Sequence, residues 1–243
     1  MGMAASVVIG ITVCQVLLVR FIDPPYTVKM AVDRLLNVGG PTSDASAIQW
    51  VRLGDISPHL RRAVLAAEDQ RFLVHHGFDF TEMGEVVHGF LKGGAIRGAS
   101  TITMQAARTV FLWPGRTLLR KAAEAYYTVW IEWMWTKERI LEVYLNTVDW
   151  GEGCAGVRAA TARYFGVEPS EISRSQAALL ASVLPNPRRW SASKPSPQVL
   201  ARKDRIMKDL DLMPLLPRPG GLTRHRTKGT TWSGSPQTEW NHA

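Results

Sequence analysis

Between residues 57 and 212, apolar side chains recur at spacings of three and four, and strand-like alternating runs are scarce. A chain patterned this way buries its apolar surface by packing helices, so the expected class is mainly α. Ser57-Pro58 reads as a helix start, with Leu60, Val64 and Leu65 on the face that follows. Phe80, Met83, Val87 and Phe90 predict a second helix ending at LKGGAIRG, and four glycines between residues 89 and 98 predict a flexible loop there. The longest periodic segment runs from Thr117 to Thr147, as one or two helices, and SQAALLASVL stops before Pro185-Asn186-Pro187. After Met213 the pattern disappears. The expected organisation is therefore an apolar segment at 1–22, a helical domain at 23–212, and a polar tail at 213–243 that has no core of its own and is disordered.

The first segment, MGMAASVVIGITVCQVLLVRFI, holds no charge before Arg20 and stops at Asp23-Pro24-Pro25. It is just long enough to span a bilayer as a helix. A cleaved signal peptide is the competing reading, but a basic stretch before the apolar run and a small-x-small cleavage site are both missing. The expectation is an uncleaved anchor, although Arg20 lies on the far side and lends no support to an N-in orientation. The chain has 243 residues, 46% of them hydrophobic, which suffices for a core without disulfide staples. Cys14 lies in the apolar segment and Cys154 in the domain, so no bond between them is expected. Lys and Arg outnumber Asp and Glu by 29 to 21, a formal charge of +8 that suits an anionic partner without choosing among nucleic acid, phosphorylated substrate and acidic lipid.

Four polar stretches interrupt the helical pattern. In AAEDQRFLVHHGFDF an apolar run ends on Glu68 and Asp69. Carboxylates in that position are solvated, paired or used, and Arg71, His75 and His76 offer pairing as the plain answer. RGASTITMQAAR gathers Ser100, Thr101, Thr103, Gln105 and Arg108 around Ile102, and a Ser-Thr run before a helix is also what an N-cap looks like. RKAAE puts Lys121 and Glu124 on one helical face, which in isolation is an ordinary surface contact. KERILEVYLN carries Lys137, Glu138 and Glu142 on a helix whose Ile140, Leu141, Tyr144 and Leu145 face inward, and charge pairs of that spacing are common helix decoration.

Taken in order, these stretches resemble the conserved boxes of the family 51 peptidoglycan glycosyltransferases, and most of all its monofunctional members. The likeness covers residues 24 to 210. EDQRFLVHHGFD is similar to the first box through Glu68, Asp69, Phe72, His75, Gly77 and Asp79, and GASTITMQAAR to the second through Gly98, Ser100, Thr101, Ile102, Thr103 and Gln105. RKAAEAYYTVWIE is similar to the third through Arg120, Lys121, Glu124 and Glu132, and KERILEVYLN to the fourth. WGEGCAGVRAATARYFG and QAALLASVLPNPRRW extend it. Two departures stand out. Arg108-Thr109 replaces the usual Lys-Asn, keeping a cation and losing an amide, and Cys154 stands where an aromatic or aliphatic residue is usual.

The resemblance implies a lysozyme-like helical glycosyltransferase domain behind an N-terminal transmembrane helix. It implies polymerisation of lipid II into linear glycan, by inverting transfer onto the GlcNAc 4-hydroxyl with release of undecaprenyl pyrophosphate. It further implies Glu68 as the catalytic base and Glu124 as the second essential carboxylate, which either orients Arg120 and Lys121 or holds a divalent ion. Asp69, Ser100, Thr101, Gln105, Arg108, Arg120, Lys121 and Lys137 are the expected substrate-binding residues. No tightly bound cofactor is expected, although Mg²⁺ or Mn²⁺ would accompany the pyrophosphate. The expected partners are lipid II, the growing glycan, the membrane and other cell-wall synthesis and division proteins, with no nucleic acid. The expected place is the bacterial inner membrane, single-pass, with the domain outside the cytoplasm. Phe80, Met83, Val87 and Phe90, with Trp113 and the WIEWMW tryptophans, suit either a bilayer interface or a core. Residues 213 to 243 are too few for a transpeptidase domain, so no crosslinking is expected. Two other classes remain open: a lytic glycosidase, which has no need of the RKxxE cations, and a non-catalytic scaffold.

Overall fold

The computed structural model describes residues 2–35, 47–93, 100–115, 117–151 and 154–216. The glycine loop from 94 to 99, with Gly98, and the tail from 217 onward lie outside the described residues. Ten α-helices occur among those described: α1 (Gly2–Phe21), α2 (Val28–Leu35), α3 (Pro58–Glu68), α4 (Phe80–Leu91), α5 (Ile102–Phe111), α6 (Leu118–Met134), α7 (Lys137–Thr147), α8 (Val157–Phe165), α9 (Arg174–Ser182) and α10 (Pro197–Asp209). The sheet-like pairing described amounts to one antiparallel bridge between Asp149 and Ala155. The mainly α expectation is met.

Local chemistry accounts for where the helices begin and end. Ser57 accepts a hydrogen bond from the His59 amide and Pro58 opens α3, so two of the orphan groups of a helix start are dealt with at once. Leu60 and Val64 are fully buried on the face the spacing marked, each contributing about 1.5–3 kcal/mol of burial. The long segment from 117 to 147 is two helices, because Thr136 caps α7 through the Arg139 amide and breaks the run after Met134. Ser173 and Gln176 form a reciprocal capping box at the start of α9. The last described residues still belong to the domain: Met213 and Leu216 are buried, so its packing extends past the boundary expected at 212.

α3 packs against α9 and α10, and α5 lies between α6 and α7. α5 is buried along almost its whole length, and Ala106 and Ala107 let its neighbours approach closely. This arrangement brings the C-terminus of α3, the first turns of α5 and the middle of α10 to one place.

α1 occupies the expected anchor residues. It turns Thr12, Val16 and Val19 onto the domain and leaves Val7, Val8, Ile9, Ile11, Leu17 and Leu18 exposed. Trp135 Nε1 donates to the Val16 carbonyl at 2.9 Å, and Arg139 donates to Val19 O and pairs with Asp23 at 2.8 Å. Among the described residues no helix is long and apolar enough to cross a membrane. Neither Cys14, exposed on α1, nor Cys154, which is buried, is in a disulfide. Phe80 and Met83 are exposed on α4 rather than in the core, whereas the Val87 and Phe90 side chains lie outside what is described. The WIEWMW tryptophans divide. Trp135 is buried, Trp130 packs partly against the core, and Trp133 is exposed.

Candidate active site

Glu68 ends α3, and its side chain is only 10% exposed. Gln105 Nε2, from the second turn of α5, donates to Oε2 at 3.0 Å, and Arg202 Nη2, from α10, donates to Oε1 at 3.1 Å. Burial pushes the Glu68 carboxyl above its ordinary value, while the Gln105 bond and the charges of Arg202 and Arg108 pull it back. Arg202 is itself lowered by burial and partly restored by Glu68. Beneath Gln105, the fully buried Tyr144 hydroxyl donates to its Oε1 at 3.4 Å. Desolvation, reinforced by the nearby negative charge of Glu68, holds the Tyr144 hydroxyl protonated, well above its usual range.

A second carboxylate lies on α6. Glu124 is fully buried and each of its oxygens meets a cation: Lys121 Nζ at 2.6 Å on Oε1 and Arg120 Nη1 at 3.1 Å on Oε2. Arg120 is largely covered, whereas Lys121 is 46% exposed. RKAAE is therefore a buried anion carrying two cations toward the surface, rather than the exposed helix pair its spacing also allowed. Ser100 joins the two halves. Its hydroxyl accepts from Lys121 Nζ at 3.1 Å and its carbonyl accepts from Gln105 Nε2 at 3.5 Å. A continuous polar path thus runs Glu68, Gln105, Ser100, Lys121, Glu124.

Arg108, half-buried on α5, has no side-chain partner among the described residues, although its charge acts on Glu68. Three other expected substrate contacts are engaged within the fold. Asp69 accepts from His75 Nε2 at 2.8 Å and from the Ile102 amide at 2.9 Å, so it ties the turn after α3 to the start of α5. Thr101 caps α5 through the Met104 amide and donates to Gly77 O at 2.6 Å. The N-cap reading of the Ser-Thr run holds for that residue. Lys137 donates to His75 O and to Glu132 Oε1, both at 2.8 Å, and lies over the Phe72 ring. Glu132 also accepts from the Thr103 hydroxyl. Gly77, at φ +87°, packs so tightly on α6 that a Cβ there would lie 2.6 Å from Thr128 Cγ2. An open cavity of about 290 Å³, lined in part by Arg71, His76 and Phe80, lies beside α4 and includes neither Glu68 nor Glu124.

No group of three or more His, Cys, Asp or Glu side chains placed to hold a metal occurs among the described residues. Glu124, the carboxylate for which a metal role was open, already has both oxygens on cations, and a divalent ion there would sit against Arg120 and Lys121. The residues present fit the orienting role and do not fit a protein-held ion. Arg202 is the site residue that the motifs did not reveal. It follows the last of them, and its one signal is helical spacing, since Val199, Arg202 and Ile206 share the buried face of α10.

Residues 37–211 match the family model described as transglycosylase. A biosynthetic peptidoglycan transglycosylase of Chromohalobacter salexigens is 43% identical over 205 residues, covering 83% of this chain and 86% of that protein. Proteins of the same name from Pseudomonas entomophila and Rhodospirillum centenum are 44% identical over 200 residues and 46% over 201, each covering 82% of this chain and 84% and 85% of theirs.

Proposed function

This chain belongs to the transglycosylase family and is a glycosyltransferase, and from that premise we propose that it polymerises lipid II into linear peptidoglycan strands. The observation that carries the reading is the Glu68 carboxylate. It is buried at the end of an apolar helix, accepts hydrogen bonds on both oxygens, and is joined through Gln105 and Ser100 to a pair of cations.

Transfer with inversion is a single displacement. The GlcNAc 4-hydroxyl oxygen attacks the MurNAc anomeric carbon, the bond to the pyrophosphate oxygen breaks on the opposite face, and its electron pair leaves with undecaprenyl pyrophosphate. The hydroxyl proton goes to Glu68. A carboxylate shifted above its ordinary value is a stronger base, and base catalysis of this kind contributes roughly 10²- to 10⁴-fold. Charge gathers on the leaving pyrophosphate, where Arg108, Arg120 and Lys121 stabilise the transition state more than the ground state. Glu124 holds Arg120 and Lys121 in place for that task. A divalent ion, where one takes part, would arrive on the substrate phosphates. Asp69, Thr101 and Lys137 keep the first and second boxes in register.

The lysozyme-like architecture belongs to this reading, as does membrane attachment by an anchor at α1 that leaves the domain outside the cytoplasm. The outer face of α1 and the nearby exposed Leu118, Leu119, Val129 and Trp133 of α6 support attachment, because scattered exposure does not explain so many apolar residues on neighbouring helices. A linear, uncrosslinked product is supported by relatives that this chain matches over 84–86% of their own length. A lytic glycosidase would have no need of the Arg120 and Lys121 cations held on Glu124, which the path through Gln105 and Ser100 joins to Glu68. Incubation of the purified chain with labelled lipid II, followed by muramidase digestion of the product, tests the reading. Uncrosslinked disaccharide-peptides support it, and release of sugar from finished peptidoglycan without polymerisation refutes it.

A further inference from the structure

We propose that Arg202 is the positioning residue for Glu68, holding its carboxylate where it can take the acceptor hydroxyl's proton; this deepens the reading of Glu68 as the base and rests on it. A single nitrogen of Arg202, Nη2, donates to the Ala67 carbonyl at 2.7 Å and to Glu68 Oε1 at 3.1 Å. The first bond satisfies one of the carbonyls that the end of α3 leaves without an intrahelical partner, and it fixes the guanidinium to the backbone beside the carboxylate. The second fixes the carboxylate to the guanidinium. Val199 and Ile206, both buried on either side of Arg202, clamp α10 against the domain so that the side chain enters from a rigid element.

Gln105 restrains the other oxygen from α5, so Glu68 is gripped from two helices that are independent in sequence. A carboxylate has about four acceptor positions, and two donors leave room for a substrate hydroxyl. The other charged or titratable groups facing this point are Arg108 on α5, Tyr144 on α7, Asp69 next in the chain, and Arg205 on α10, whose charge acts on Arg202. Arg174 of α9 is turned away, onto Met207 O and Asp211. Removing Arg202 leaves burial opposed only by Gln105 and Arg108, so Glu68 would take up its proton at higher pH than in the native enzyme. A lysine restores the charge, but its flexible stem does not hold a nitrogen at the point between carbonyl and carboxylate where the planar guanidinium places Nη2.

The test compares native chain, Arg202→Met and Arg202→Lys on lipid II from pH 5 to 9, with thermal midpoints recorded alongside. For Arg202→Met we expect kcat to fall by up to about 10²-fold at pH 7, as a small misplacement of a reacting group does, with KM changed little. Its acid limb should move to higher pH, so that part of the loss is recovered at pH 9, and Arg202→Lys should fall between the two. In an Glu68→Gln background, Arg202→Met should add nothing. If Arg202→Met fails to fold, the limb is read on Arg202→Gln, which keeps a donor for Ala67 O and lacks the charge. An unmoved limb, or a loss equal at every pH that tracks the thermal midpoint, overturns the proposal. Absence of polymer from the native chain at every pH would instead refute the proposed function itself.

Discussion

Arg202 and Glu68 stand 134 positions apart in the chain and meet at 3.1 Å, the guanidinium of α10 against the carboxylate that ends α3. With Gln105 on the other oxygen, that contact makes the end of α3 a gripped, desolvated anion instead of a solvated helix terminus. The chemistry proposed for the chain follows from this state of Glu68.

The pH dependence follows first. Burial raises Glu68 above its ordinary value of 4.5, so it remains protonated, and inactive as a base, to higher pH than an exposed glutamate. As pH rises through the raised value, the base is freed and kcat/KM should climb. A kcat/KM profile measured from pH 4 to 9 is expected to show an acid limb above 4.5, and a limb at or below it would contradict the desolvated setting.

Lys121 is the exposed end of the Glu124 cluster. Lys121→Ala should raise KM and lower kcat together, by roughly 10²-fold in kcat/KM, because the charge it offers the leaving pyrophosphate strengthens in the transition state. Steady-state kinetics with lipid II would check this. Unchanged kinetics would make RKAAE a structural ion cluster and nothing more.

Gly77→Ala tests the joint between the first box and α6. The new Cβ would lie 2.6 Å from Thr128 Cγ2 at a backbone angle of φ +87°, so a loss of about 1–3 kcal/mol is expected in denaturant unfolding. Thr101→Ala, which removes the cap of α5, should cost about 1 kcal/mol. A Gly77→Ala protein as stable as the native one would mean that this joint yields freely.

Much of the site was legible because its parts are local. Glu68 at the end of an apolar run, Gln105 four residues after Thr101, and Lys121 and Glu124 on one helical turn are spacings a sequence displays. The same locality obscured what is structural. Asp69 and Thr101 sit inside the boxes, yet the partners that occupy them, His75 and the Ile102 amide for one, Gly77 O for the other, depend on how α3, α5 and α6 pack. Arg202 was illegible for the converse reason. Its box-free helix shows a cation at a core-facing position, and only the meeting of α10 with α3 gives that cation a partner. The split of the 117–147 segment was half visible, since Thr136 is a capping residue within an unbroken apolar period.

Attachment through α1 can be read at Cys14, which is free and exposed on that helix, while Cys154 is buried. A charged maleimide should label Cys14 in detergent and fail to do so once the protein is in lipid vesicles. Equal labelling in both would contradict an anchor at α1.

The central claim is that Glu68 is the general base of lipid II polymerisation, and Glu68→Gln tests it most directly, because the amide keeps the side chain's shape and loses its basicity. Polymer formation from labelled lipid II and lipid II binding should be measured on the same preparation. The account predicts a fall in turnover of roughly 10²-fold or more with binding little changed. Turnover near that of the native chain would contradict it.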